Sequence, residues 1–144
     1  MKSEVLTPGW RNNLPRKDTD QMRAKEILAL LQAEVLAGSA VIDQVEVTRA
    51  FAADLMSDVL ALVDCRNRDV VLISGVTNPQ IIRTAEMLDI PMVVVARGKP
   101  VPADTVKLAE KRGIVIIRTT FIVFLVCGLL YEAGIQGARI LDKP

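Results

Sequence analysis

The sequence predicts a three-layer α/β/α sandwich built on a mostly parallel central sheet. Three observations carry that reading. Apolar runs at 70–73 (VVLI), 92–96 (MVVVA) and 114–117 (IVII) lack polar alternation, as strands buried on both faces do. Between them lie amphipathic stretches of helical period, QIIRTAEMLD at 80–89 and a second one before Gly113. Apolar strands alternating with such helices form a parallel sheet covered by helices. Right-handed crossovers then bring three post-strand turns, 74–78, 97–99 and 118–120, to one edge of the sheet. In folds of this kind ligands bind outside the carboxyl ends of the strands.

The elements follow in order. Residues 1–20 read as a tail: Pro8, Gly9, Asn12, Asn13 and Pro15 favour turns or coil, and the charges of residues 16–20 favour solvent. Trp10 stands alone there, either folded back on the domain, packed on a partner or mobile. The remaining residues, 21–144, form a single domain. A helix opens near Asp20, with Met22, Ile27, Leu28, Leu30 and Leu31 as its apolar stripe. Residues 33–38 (AEVLAG) read as a short strand stopped by Gly38, or as a continuation of the helix with Gly38 as its cap. Residues 41–47 (VIDQVEV) alternate like a strand. A helix starts at Asp54, whose carboxylate suits an N-cap, and buries Leu55, Met56, Val59, Leu60 and Val63.

The strand at 70–73 leads into Ser74-Gly75-Val76-Thr77-Asn78-Pro79. Asn78 suits the cap of the next helix, and Pro79, with no N–H to leave unpaired, suits its first position. Pro102 opens a further helix that Gly113 closes. Thr119 or Thr120 is expected to cap an apolar helix over 121–133, ended by Gly134, and 138–141 adds an edge strand.

Composition excludes several function classes. Of 144 residues, 18 are Lys or Arg and 17 are Asp or Glu, so the net charge is +1. That balance gives no electrostatic case for nucleic acid or a membrane surface as partner. Histidine is absent, which removes the commonest metal ligand and the commonest general base at neutral pH. Cys65 and Cys127 show no CxxC spacing, so no zinc site and no cofactor is expected. Nothing marks secretion, so reduced thiols and a cytoplasmic location are expected. The apolar run at 121–131 has 11 residues, against about 20 for a membrane-spanning helix.

Four segments, DLMSDVLA (54–61), LISGVTNPQIIRTAEMLDIP (72–91), VVVARGKP (93–100) and CGLLYEAG (127–134), make the chain resemble the DRTGG domain family, in particular its stand-alone members. The resemblance covers about residues 22–135. It implies a fold similar to the N-terminal domain of HPr kinase/phosphorylase, and a regulatory or oligomerising role. Related modules stand beside phosphotransacetylase catalytic domains and between CBS domains in regulated pyrophosphatases. The chain departs from the family's name-giving motif: Ser74-Gly75-Val76-Thr77-Asn78-Pro79 replaces a Gly-Asp-Arg-Thr-like turn. The contacts of that Asp-Arg pair therefore do not transfer.

The candidate ligand-binding residues lie in the three turns: Ser74, Gly75, Thr77 and Asn78 in the first, Arg97 and Gly98 in the second, and Arg118, Thr119 and Thr120 in the third. The first turn precedes a helix N-terminus, where free N–H groups favour an anion. Arg97 and Arg118 are expected to converge on it, since the guanidinium fork suits phosphate. Ordinary capping and solvated arginines are the plainer reading of the same residues. No P-loop and no GxGxxG is present, and no catalytic set emerges. Asp54, Ser57 and Asp58 read as capping residues. The expected function is a non-catalytic regulatory or ligand-sensing module that binds a small anionic or nucleotide-type ligand. The alternative is a protein-interaction or oligomerisation subunit. The apolar helix at 121–131 points to a homodimer or another protein partner.

Overall fold

The computed structural model describes residues 21–63 and 67–140. The expected tail with Trp10, the cysteine at 65 and the final residues lie outside this range. In chain order the elements are β1 (Met22–Arg23), α1 (Ala24–Leu30), β2 (Glu34–Ala37), a 3₁₀ turn (Ile42–Gln44), β3 (Glu46–Val47), β4 (Arg49–Ala52), α2 (Met56–Leu62), β5 (Val70–Ser74), α3 (Gln80–Met87), β6 (Met92–Val95), α4 (Ala103–Arg112), β7 (Val115–Arg118), α5 (Val123–Glu132) and β8 (Gln136–Gly137). The main sheet has the order β2-β7-β6-β5-β4-β8. Five of its strands run parallel, and only β2 is antiparallel, on β7. The expected mostly parallel α/β architecture is what the chain adopts.

Strands β4 to β7 are neighbours in the order of the chain, so their crossovers α2, α3 and α4 all pack on one face. Beyond β7 the chain returns through α5 over the other face and ends the sheet at β8, beside β4. Alternate strand residues feed the two cores. Val71, Ile73, Met92, Val94, Val115 and Ile117 face α1 and α5. Val70, Leu72, Val93, Val95 and Ile116 face α2, α3 and α4. Both faces are buried, which is why β5 and β6 read as unbroken apolar runs.

The periphery departs from expectation. The first helix begins at Ala24 and ends at Leu30, and Gln32 has a left-handed φ of 51° just beyond it. Of the two readings of 33–38, the strand is correct. Residues 41–47 form no continuous strand: Gln44 N–H donates to Val41 O and Val45 N–H to Ile42 O, and these local bonds wind a 3₁₀ turn before the two residues of β3. Strand β4 is unforeseen, because Arg49, Ala50 and Phe51 are only half-buried and Ala52 is exposed. The helix expected at Asp54 starts at Met56 instead, with Leu55 at its cap. The apolar helix starts at Val123 with Ile122 at its cap, so neither Thr119 nor Thr120 caps it. The last strand is Gln136–Gly137 rather than 138–141, because Gln136 N–H and Ala138 N–H donate to Thr48 O and Ala50 O of the β4 segment.

Candidate functional site

Strands β4, β5 and β6 end side by side, and their exits bring Asp54, Ser74-Gly75 and Arg97 together. Asp54 leaves β4 without entering a helix, so its carboxylate is free to reach the next strand. Its Oδ1 accepts the Gly75 N–H at 2.8 Å and the Ser74 hydroxyl at 3.2 Å. Ser74 Oγ in turn accepts the Val76 N–H at 3.0 Å. Two N–H groups of this turn, those of Gly75 and Val76, are thus occupied by the chain's own carboxylate and hydroxyl. The Gly75 N–H bond, with help from Ser74, Arg97 and Lys99, holds the Asp54 carboxyl below its ordinary 3.8, against a smaller opposing effect of burial.

Arg97 supplies the positive side of the cluster. Its backbone has φ 65°, followed by Gly98 at 62°. Two successive left-handed residues make a tight reversal that glycine tolerates and arginine does not favour. Backbone bonds enforce it: Arg97 N–H donates to Phe121 O at 2.9 Å and Gly98 N–H to Thr119 O at 2.8 Å. A Cβ added at Gly75 would lie 2.9 Å from the Arg97 Nη2 atom, so the guanidinium lies against this bare stretch of backbone. Among the described residues that guanidinium makes no hydrogen bond or ion pair. The ammonium of Lys99, from the same turn, adds charge toward Asp54.

The other expected residues are engaged elsewhere. Arg118 is the last residue of β7, not a turn residue, and lies in register with Glu34 of β2. Its Nη2 and Nε atoms donate to Glu34 Oε2 at 2.9 and 3.2 Å, and Nη1 reaches Lys99 O at 3.4 Å. Arg118 is thus paired with a cross-strand carboxylate while it also touches the turn that carries Arg97. Thr119 is buried: its hydroxyl donates to Leu31 O at 2.7 Å and accepts Phe121 N–H at 3.1 Å, both structural bonds. Asn78 caps the helix as expected, accepting Gln80 N–H at 3.0 Å. The carbonyl of Thr77 accepts the Thr105 hydroxyl at 2.8 Å, which ties this turn to α4. Thr120 is exposed and its methyl approaches Gly98.

The exits of β6 and β7 diverge to opposite faces, toward α4 and α5, which is where open α/β sheets part to admit ligands. Here the bonds from Arg97 and Gly98 to the β7 exit lace that parting shut. On the other side of Arg97, Gly75 is buried beneath the guanidinium. A separate cleft of about 520 Å³ at the opposite end of the sheet is lined by Arg68, Glu86, Asp89 and Arg112. Its charges are spent on each other, through Arg68–Asp89 at 3.0 Å and Arg112–Glu86 at 3.2 Å. Cys127 is half-buried, and burial pushes its thiol above the ordinary value, which opposes nucleophilic character. Among the described residues no group of three or more potential ligands is placed to hold a metal, and no helix is long and apolar enough to cross a membrane.

Asp54 is the site residue that the sequence conceals. Its residue type and its place before an apolar helix match a cap. The signal that identifies it is the strand before it: once 49–52 is a strand, Asp54 falls on the same sheet edge as Ser74 and Arg97.

No protein-family model matches the chain, and no curated protein matches it by sequence. Among solved structures its fold is similar to the CBS and DRTGG domains of the regulatory region of Clostridium perfringens pyrophosphatase, determined with the activator diadenosine tetraphosphate. The TM-score is 0.62 and the identity 15%, over 96% of this chain and 61% of that one. The chain therefore has a DRTGG-like α/β fold, and it spans less than two thirds of the length of that neighbour.

Proposed function

We propose that this chain is a regulatory module of DRTGG type that senses a small anionic or nucleotide-type ligand by binding and not by turnover. Residues 21–144 are its single domain and residues 1–20 an extension of it, and it works as a homodimer in the cytoplasm. The observation that carries the reading is Arg97. A guanidinium that makes no hydrogen bond or ion pair among the described residues, held on a left-handed backbone above a glycine and near the Asp54 carboxylate, suits an incoming phosphate. Lys99 adds charge, and Asp54 offers an acceptor to a hydroxyl or amino group of the same ligand. Ser74 and Gly75 position Asp54. Thr77, Asn78, Gly98 and Thr120 shape the rim, while Arg118 and Thr119 hold the neighbouring turn. The likeness to a regulatory region supports the same reading at the level of fold.

The test is thermal unfolding with ATP, ADP, diadenosine tetraphosphate, acetyl phosphate and a sugar phosphate. A binder present at 100 times its Kd adds about 2.7 kcal/mol to stability. Arg97→Ala should abolish the shift for the ligand that produces it. Silence from every compound, or a shift indifferent to Arg97→Ala, would count against the reading. Steady release of product from any of them would instead make the protein an enzyme.

A second reading, that the chain serves through protein interaction alone, is favoured by the exposed apolar side of α5, where Phe124 is 84% exposed. A dimer with no response to any ligand would support it.

A further inference from the structure

Three helices line one face of the sheet, but only α1 and α5 line the other. The β4 end of that second face is left bare. A hollow of about 190 Å³ opens there beside α5, lined among others by Ala50, Ala52, Ile73, Cys127 and Tyr131, and it is mainly apolar. On the outer side of the same helix stand Phe124, 84% exposed, and Leu125, 42% exposed. Phe124, Cys127, Gly128 and Tyr131 follow the spacing of one helix stripe, so the protruding ring and the hollow belong to one continuous surface.

Gly128 lies in the middle of that stripe and is exposed. A Cβ placed there would meet nothing within 4 Å. The packing of this chain therefore gives no reason for a residue that weakens a helix relative to alanine. The approach of a second backbone does.

We infer that two copies of this chain pair about a two-fold axis at Gly128, with α5 crossing α5 and Phe124 of each copy seated in the hollow of the other. A protrusion and a matching recess on one surface are what an isologous contact requires. An aromatic ring buried in an apolar recess is also the usual form of an energetic anchor. This interface rests on the dimeric part of the proposed function and names the surface that forms it.

Sedimentation of the full chain tests it. The unmodified protein should sediment as a dimer. Phe124→Glu, which puts a charge in the recess, and Ala52→Trp, which fills it, should each raise the dimer dissociation constant by at least about 30-fold. Gly128→Ala should weaken the dimer as well, while raising the denaturation midpoint of the dilute monomer. With Cys65 and Cys127 changed to serine, Gly128→Cys should form an interchain disulfide under mild oxidation, because the two-fold brings its Cα atoms within the roughly 4.4–6.8 Å that a disulfide spans. Adding Phe124→Glu to that chain should abolish the cross-link. A dimer unmoved by all these changes would overturn the interface and leave the dimeric reading standing. A monomer at every concentration, including one that binds lipid vesicles through α5, would overturn both.

Discussion

Asp54 and Arg97 face each other across a bare glycine, and each carries a distinct prediction. The folded carboxyl of Asp54 titrates below its unfolded value, so its contribution is in full force above an unfolded pKa of about 3.9 and is lost as pH falls through the folded one. Urea unfolding of Asp54→Asn should therefore show a smaller stability loss than the parent between about pH 5 and pH 3. At Arg97 the backbone and the side chain separate cleanly. Arg97→Gly relieves a φ of 65° and should stabilise the fold by up to about 1 kcal/mol, whereas Arg97→Ala retains the strain and should leave stability nearly unchanged. Both lose the guanidinium, and a ligand shift that survives in either would remove Arg97 from the site. Arg97 and Gly75 were legible from sequence because they directly follow strands that are themselves legible. Asp54 was not, since aspartate before an apolar stretch satisfies the rules for a helix cap equally well.

Strands β5 and β6 announce themselves because burial on both faces removes polar residues from them. The edges do not: β4 is RAFA, half exposed, and β8 contributes two residues that pair only through backbone. Sequence patterns report side-chain burial, and such strands exist chiefly through hydrogen bonds to their neighbours. Two substitutions probe how elements are joined. Gly38 follows β2 at φ 84°, and a Cβ there would lie 2.7 Å from the Val115 Cα. The obstacle is backbone, so Gly38→Ala adds a clash to the left-handed cost and should destabilise by at least about 2 kcal/mol in denaturant unfolding. Thr119→Val keeps the shape but leaves the buried Leu31 carbonyl without its hydroxyl donor, and should cost about 1–3 kcal/mol. A neutral result at Thr119 would return that residue to the list of ligand contacts.

At the scale of the molecule, the exposed apolar surface of α5 makes stability a function of concentration. If a dimer covers it, the unfolding midpoint should rise with protein concentration by mass action and lose that dependence in Phe124→Glu. The order of the main sheet was not readable from the chain, because apolar runs show that strands are buried but not which strand each one neighbours. That order also carries a consequence for synthesis. Strands β4 to β7 emerge from the ribosome in the sequence in which they pair, so each new strand finds its partner already made. Strand β2 does not: it emerges before all of them, yet its neighbour is β7, and the Leu31 carbonyl waits 88 residues for the Thr119 hydroxyl. Until β7 arrives, β2 has no strand to pair with, although α1 can already pack on the 3₁₀ turn and β3. The nascent chain thus passes through a stage in which β2 offers unpaired backbone groups to chaperones and to other nascent copies.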